Sequence, residues 1–282
     1  MHTIGVIIPT VQAAHHLPFT LPPLLKSPLR PKILVIDSSS TDNTVAYAKA
    51  LGIETYVIPQ EEFQHGTTCE MGRKRLGTSI VVMMTQDAYL TSPKSLEHLV
   101  CPLMEGKAVL SYGRQLPRPE AGVLEAFPRL FNYPPESHIR SLQDISIFGS
   151  YLFFNSNSCA AYLYEALEEV GGFPSTPFGE DTLVAAKLLH HGYNIAYTAE
   201  ATLFHSHANS LIQEFTRHIA IGRLRKAHPS LFNLQGDQKR GKDFTKQLLL
   251  HVFSHAPHLI PYALLETTLK WLGYRIGRMR CS

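Results

Sequence analysis

The sequence predicts an α/β fold: a mixed, mainly parallel sheet flanked by helices, with a helical extension at the C-terminus. Three observations carry this reading. Short β-rich runs alternate with helix-like stretches from residue 4 to residue 85, at the spacing of βαβ units. Two of the runs, Ile33-Leu34-Val35-Ile36 and Ile80-Val81-Val82-Met83-Met84, are apolar throughout, as strands covered on both faces must be. Each then ends in a polar cluster, Asp37-Ser38-Ser39-Ser40 and Thr85-Gln86-Asp87.

Taken in order, the first strand runs from Ile4 to Pro9, and a proline-rich connector leads to Pro31. Lys32 to Asp37 is the second strand, and the caps and acceptors that follow open a helix within Thr41 to Leu51. Ile53 to Ile58 is a third strand, Glu70 to Gly77 a helix stopped by glycine, and Ser79 to Thr85 a fourth strand. Residues 113–150 read as a loop-rich insertion, because Pro117, Pro119, Pro128, Pro134 and Pro135 interrupt any long element. A short apolar segment, Tyr151 to Phe154, precedes a helix from Tyr162 to Val170, ended by Gly171-Gly172. A second helix spans Asp181 to His191, stopped by Gly192, and Asn194 to Ala199 forms a short strand. The tail, Phe244 to Gly277, is leucine-rich, but His251, His255, Pro257, His258 and Pro261 break its apolar runs, so it does not span a bilayer. Packing on the main domain and lying in a membrane surface are both open to it.

The 282 residues carry 26 Lys plus Arg against 23 Asp plus Glu, with 44% apolar and 17% charged residues. This composition excludes disordered, collagen-like and disulfide-scaffold classes. Cys69, Cys101, Cys159 and Cys281 form no CxxC pair, which argues against a zinc site and a secreted framework and fits a reducing cytosol. The N-terminal apolar run stops at Pro9 without a basic lead, too short for a signal peptide. The small net charge hides an asymmetry. From Arg217 onward twelve Lys and Arg face three acidic residues, whereas the preceding residues hold fourteen against twenty. A basic tail of this kind suits an anionic membrane surface or a polyphosphate ligand, and a solvated helix face is the plainer alternative. The basic residues fall in no nucleic-acid reader motif, so no nucleic-acid partner is expected.

In open α/β sheets ligands sit outside the carboxyl ends of the strands, which singles out the clusters after the second and fourth strands. Asp37 there could accept hydrogen bonds from a base or ribose, or could simply cap a βα turn. Asp87 lies where a divalent cation, Mg²⁺ or Mn²⁺, could bridge it to a diphosphate, since such ions prefer a few protein oxygens plus substrate phosphates. His205-Ser206-His207 puts two imidazoles on one side of an extended chain, suited to metal ligation or phosphate contact. Glu180 and Asp181 stand where a helix begins, either capping it or supplying a general base.

Together, Val6-Ile7-Ile8-Pro9-Thr10, Val35-Ile36-Asp37-Ser38-Ser39-Ser40-Thr41-Asp42, Thr85-Gln86-Asp87-Ala88 and Gly179-Glu180-Asp181-Thr182-Leu183 resemble the ordered motifs of family 2 glycosyltransferases with the Rossmann-like GT-A fold. Phe63-Gln64-His65-Gly66-Thr67-Thr68, Tyr112-Gly113-Arg114-Gln115-Leu116-Pro117, Ser156-Asn157-Ser158-Cys159-Ala160-Ala161-Tyr162 and His205-Ser206-His207 are similar to the bacterial rhamnosyltransferase-like branch. The resemblance covers about residues 3 to 230 and implies an inverting transfer of a sugar from a nucleoside diphosphate donor. By it, Pro9, Thr10, Asp37, Ser39, Asp42, His65, Gly66 and Gln86 line the donor site, with Asp37 at the base or ribose and Asp87 on the metal. His205 is a second metal ligand, with His207 as its rival; Asp181 is the catalytic base and Glu180 its positioning neighbour. Arg114, Gln115 and Asn157 face the acceptor. Many relatives continue the His-Gly-x-Thr string with Arg-Asn, but this chain has Cys69-Glu70; Arg73, Lys74 or Arg75 could restore positive charge toward the diphosphate, or belong to a solvated basic helix face.

The expectation is a transferase domain over residues 1–230 and a basic amphipathic tail over 231–282. The expected enzyme is cytoplasmic, with the tail as a contact to the inner membrane face. It would add L-rhamnose from dTDP-rhamnose to a cell-envelope glycan or lipid-linked saccharide. The rivals are a UDP-hexose transferase of the same fold and a nucleotide-sugar-binding protein without turnover.

Overall fold

The computed structural model describes residues 2–232 and 237–279. Among these residues the strands are β1 (Ile4–Thr10), β2 (Lys32–Asp37), β3 (Glu54–Val57), β4 (Ile80–Met84), β5 (Tyr89–Leu90), β6 (Leu110–Leu116), β7 (His138–Arg140), β8 (Cys159–Leu163) and β9 (Ile195–Phe204). The α-helices are α1 (Leu17–Leu25), α2 (Thr44–Ala50), α3 (His65–Leu76), α4 (Ser95–Met104), α5 (Val123–Asn132), α6 (Ile145–Phe148), α7 (Tyr164–Glu169), α8 (Glu180–His190), α9 (Leu211–Ala227), α10 (Pro229–Phe232), α11 (Asp237–His255) and α12 (Ile260–Arg278).

The strands form one sheet in the order β3-β2-β1-β4-β8-β6-β9-β5, with β7 added beside β9. From β3 to β4 the strands are parallel, and β8 lies antiparallel between β4 and β6. The register sets Thr10 beside Asp37, and Met84 beside Cys159. Thus the ends of β1, β2 and β4 and the start of β8 come together, where the candidate residues lie. The all-apolar runs of β2 and β4 are buried along their length, as strands with both faces covered require.

The chain divides into two compact units. The first comprises residues 1–115, 134–142 and 153–205 and holds the sheet; its core includes Val6, Ile8, Leu17, Leu21, Val35, Val82 and Leu99. The second comprises residues 116–133, 143–152 and 206–282, so it draws on two earlier stretches as well as the tail. Its core is Phe127, Leu248, Val252 and Ala263.

Several local expectations are corrected. The proline-rich connector contains α1, whose Leu17, Leu21 and Leu24 are buried at helical spacing, with Pro18 tolerated in the first turn. Within 113–150 lies α5, which runs through Pro128. There, burial of Phe127 contributes about 1.5–3 kcal/mol with Val123, Leu124 and Phe131 packed beside it, against about 3 kcal/mol lost to an interior proline. Tyr162 and Leu163 belong to β8 rather than to a helix, because β4 and β6 supply hydrogen-bonding partners on both sides. The strand expected over Asn194–Ala199 continues to Phe204 for the same reason, paired with β7 and β5. Arg280 and Cys281 lie outside the described residues.

Candidate active site

Two loops following β1 and β2 are bonded to one another. Gln12 donates its N–H to Ser40 Oγ (2.8 Å) and its amide to Thr41 Oγ1 (3.0 Å), while Ala14 N–H donates to Asp42 Oδ2 (3.0 Å). Gln12 and Ser39 hold left-handed backbone, φ 48° and 53°, without being glycine; such strain costs about 1–3 kcal/mol each and persists only where the surroundings enforce it. Asp37 is fully buried, and its carboxylate accepts from Thr10 Oγ1 (2.8 Å), Ser40 N–H (2.7 Å) and Ser40 Oγ (2.7 Å). These are the bonds of a capped turn. Ser39 Oγ donates to Ile58 O (2.8 Å), and Pro9 is half-buried at the end of β1. The Gln86 side chain exchanges two hydrogen bonds with the Val11 backbone (2.8 and 3.1 Å), tying the loop after β4 to that after β1.

Asp87 follows, buried, with its Oδ1 3.6 Å from Nε2 of the buried His205 at the end of β9. On the other side of the ring, His205 Nδ1 lies 3.0 Å from Gln115 Oε1, and the Gln115 amide donates to Ser156 Oγ (2.9 Å). A glutamine oxygen can only accept, so Nδ1 carries a proton and Nε2 is the ring nitrogen that faces Asp87. One carboxylate oxygen and one imidazole nitrogen held in this way fit a divalent cation such as Mn²⁺ or Mg²⁺. His207 lies two residues further on, in the second unit.

Glu180 and Asp181 are the first two residues of α8, after Gly179 in left-handed conformation. Asn157 reaches both: its side-chain amide donates to Glu180 Oε1 (3.1 Å) and its N–H to Asp181 Oδ2 (3.4 Å). Tyr162 OH, fully buried, donates in turn to Asn157 Oδ1 (2.6 Å). Burial, and then the charge of Glu180, push the Asp181 carboxyl up to about 7, while burial also raises Glu180. Cys69, completely enclosed nearby, has its thiol pushed well up by burial and by both carboxylates, so it is an inert packing group. His65, at the start of α3, is lowered by burial, with Asp181 pulling the other way. Gly66 belongs in this cluster because its backbone meets the 174–180 loop closely: a Cβ there would fall 1.9 Å from Pro174 O and 3.5 Å from Glu180 Cβ.

The two half-sites are held by consecutive residues. Ser156 anchors the Gln115–His205–Asp87 chain, and Asn157 anchors the Glu180–Asp181 pair. The glycosyl transferase family 2 profile matches residues 5–171. The chain belongs to glycosyltransferase family 2. It is similar to the O-antigen chain rhamnosyltransferase RfbN of Salmonella typhimurium, with 36% identity over 280 residues covering 98% of this chain and 89% of that protein. WbaN of Salmonella anatum, also named an O-antigen chain rhamnosyltransferase, is 37% identical over 250 residues, covering 88% and 79%. Among solved structures, Staphylococcus aureus TarS 1–349 in complex with UDP-GlcNAc superimposes with a TM-score of 0.61 at 14% identity, covering 98% of this chain and 90% of that one. The mannosyltransferase PcManGT from Pyrobaculum calidifontis, in complex with GDP-Man and Mn²⁺, gives 0.61 at 16% identity, covering 98% and 73%. The fold is GT-A, and the protein is a glycosyltransferase.

Three site expectations for this transferase are corrected. Arg73 is neither turned toward a diphosphate nor solvated. It is buried between Glu70 and Glu168 (2.7 Å) and lies 4.4 Å above the Tyr164 ring. Its partner Glu70 also accepts from Phe173 N–H (3.0 Å), so this carboxylate organises the turn after α7. Gln115 is buried behind His205 instead of facing an acceptor, and Asn157 is taken up with Glu180, Asp181 and Tyr162. Arg114, half-buried, precedes Gln115 on β6, and strand alternation turns it to the opposite face. Sequence reading gave Ser156 and Tyr162 only as the ends of the Ser156–Tyr162 string, without a role in the site. The signal for Tyr162 was its place in Cys159–Leu163, a run that makes sense as a strand once β4 is known to lie beside it.

Proposed function

We propose that this glycosyltransferase moves L-rhamnose from dTDP-rhamnose to a cell-envelope glycan or lipid-linked saccharide, with inversion at the anomeric carbon. The names of the two Salmonella relatives support the sugar. The observation that carries the chemistry is the joined pair of half-sites, Asp87–His205 for the departing nucleotide and Glu180–Asp181 for the acceptor, on consecutive anchors Ser156 and Asn157.

On this reading Asp181 takes the acceptor hydroxyl's proton as that oxygen forms its bond to the anomeric carbon and the bond to the nucleoside diphosphate breaks. Asn157 holds Asp181 in place, while burial and the charge of Glu180 keep its affinity for the proton high against the Asn157 N–H, which lowers it. Asp87 and His205, with His207 as the rival ligand, would hold a divalent cation, which supplies charge neutralisation to the diphosphate. The bonded strand ends and loops carrying Thr10, Asp37, Ser39 and Asp42 shape the nucleotide side with Pro9 and Gln86, while His65 and Gly66 meet the donor sugar from the side of Glu180 and Asp181. Residues 1–230 do the transfer; residues 231–282 keep the enzyme at the cytoplasmic face of the membrane.

The test is release of nucleoside diphosphate from a panel containing dTDP-rhamnose and UDP-hexoses, with Mn²⁺, Mg²⁺ or EDTA, on wild type and Asp181→Asn. Slow hydrolysis of dTDP-rhamnose, lost in the variant, is expected. Preference for a UDP-hexose overturns the donor, and binding without release even with acceptors supplied overturns the catalytic reading.

A further inference from the structure

Helix α12 is amphipathic with its faces reversed. Its inward side carries small and polar residues: Ala263, Gly273 and Gly277 are buried, and Lys270 is held by Glu266 (2.5 Å) and by Glu214 of α9 (3.4 Å). A Cβ at Gly273 would lie 2.5 Å from Phe215 O and one at Gly277 2.2 Å from Ile219 O, so the two backbones meet too closely for large side chains. The large apolar residues are left on the other side. Leu264, Leu265, Trp271, Leu272, Ile276 and Met279 are each 38–66% exposed. Their spacings of one, six, one, four and three residues keep them on one stripe, roughly 22 Å long at 1.5 Å per residue. A soluble helix does the opposite, burying its large apolar side.

The charges beside the stripe are all of one sign. Arg275 and Arg278 are exposed, with their guanidinium groups near the Trp271 and Tyr274 rings (5.6 and 5.8 Å), while the acidic Glu266 is turned inward to Lys270. Aromatic rings, cations and branched apolar residues on one exposed face are the composition of a helix that lies in a lipid headgroup region. The excess of nine positive charges from Arg217 onward attracts the same anionic surface. No helix among the described residues is long and apolar enough to cross a membrane, so contact would be made from one side.

We propose that the outward stripe of α12 is a docking surface for an anionic lipid bilayer, entered to the depth of the headgroups by Trp271, Leu272 and their neighbours. It gives a location to the membrane contact assigned above to residues 231–282 and rests on that reading, but not on the identity of the donor sugar.

Trp271 is the one tryptophan of the chain and so reports on the stripe directly. The experiment mixes the full-length protein with vesicles of phosphatidylglycerol and phosphatidylethanolamine, and separately with phosphatidylcholine vesicles, without sugar nucleotide. Co-sedimentation and tryptophan emission are both recorded. Expected are capture by the anionic vesicles, a blue shift of emission, and quenching by brominated acyl chains. Trp271 is replaced by Phe in a control, and Leu264→Glu with Leu272→Glu is expected to weaken capture at least about tenfold while circular dichroism and donor hydrolysis stay as in wild type. Equal capture of the double variant and wild type overturns the proposal. So does blue emission that grows with protein concentration in the absence of vesicles and accompanies dimers on gel filtration, which would assign the stripe to a second copy of the chain. Wild-type protein that is captured by anionic vesicles but hydrolyses no donor would instead count against the transferase reading alone.

Discussion

Asp181 is where burial and chemistry meet. Its carboxyl is raised to about 7 by burial and by Glu180, so at neutral pH it is poised to take a proton, which a carboxylate near 4 does poorly. On the proposed mechanism kcat/KM rises with pH through about 7 and, one unit below that midpoint, is roughly tenfold below its high-pH plateau; a flat profile from pH 5 to 8 would remove Asp181 as the base. The same shift has a stability consequence of defined sign. Folded Asp181 holds its proton more tightly than the unfolded chain, where the ordinary value is 3.8. Its contribution is therefore fully present below about pH 4 and lost as the pH rises through 7. Asp181→Asn, which never charges, should gain on the order of 1–2 kcal/mol over wild type at pH 8 and nothing at pH 4, in urea midpoints, while losing turnover. Gln115 acts at one remove. Gln115→Leu releases the His205 tautomer, and Mn²⁺ affinity in the presence of nucleoside diphosphate, measured by calorimetry, should fall about 10–100-fold.

At the scale of elements, α8 and α3 divide the work. The first turn of α8 presents Glu180 and Asp181 to the positive end of the helix dipole, which helps keep two adjacent carboxylates in place. Helix α3 brings His65, Gly66 and Cys69 to the same cluster, and its later turn is tied down by Arg73. Arg73→Ala leaves Glu70 without its buried cation and should cost about 2–4 kcal/mol in thermal or urea unfolding. The folded fraction should bind donor as wild type does; weakened donor binding at full stability would return Arg73 to the diphosphate. Gly66→Ala drives a methyl group into Pro174 O and should lower kcat by displacing the loop that precedes Glu180.

For the whole molecule the governing quantity is charge polarity: a basic stretch from Arg217 onward and a net acidic remainder in a chain of small net charge. Electrostatic attraction to anionic lipid is screened within about 8 Å at physiological ionic strength. Vesicle capture should therefore weaken as salt is raised, and the residual capture at high salt should be the part that Leu264→Glu with Leu272→Glu removes. Salt-insensitive capture would deny the basic residues a part in it.

The sequence by itself determined the α/β class, the polar clusters at the ends of β2 and β4, and the carboxylate pair at the start of α8. Those signals are local: runs of apolar residues, caps, and acidic residues before a helical pattern. Only the tertiary structure decided that Arg73 is spent on Glu70 and Glu168, that Gln115 stands behind His205, and that Asn157, held by Tyr162 of β8, reaches both carboxylates. The same holds for the helix through Pro128, where aromatic packing in the second unit outweighs the proline, and for the reversed faces of α12. Arg73 and Glu168, Gln115 and His205, Gln115 and Ser156, and Asn157 and Glu180 stand 95, 90, 41 and 23 residues apart in the chain, and a partner at such a distance leaves no periodicity in the sequence to read.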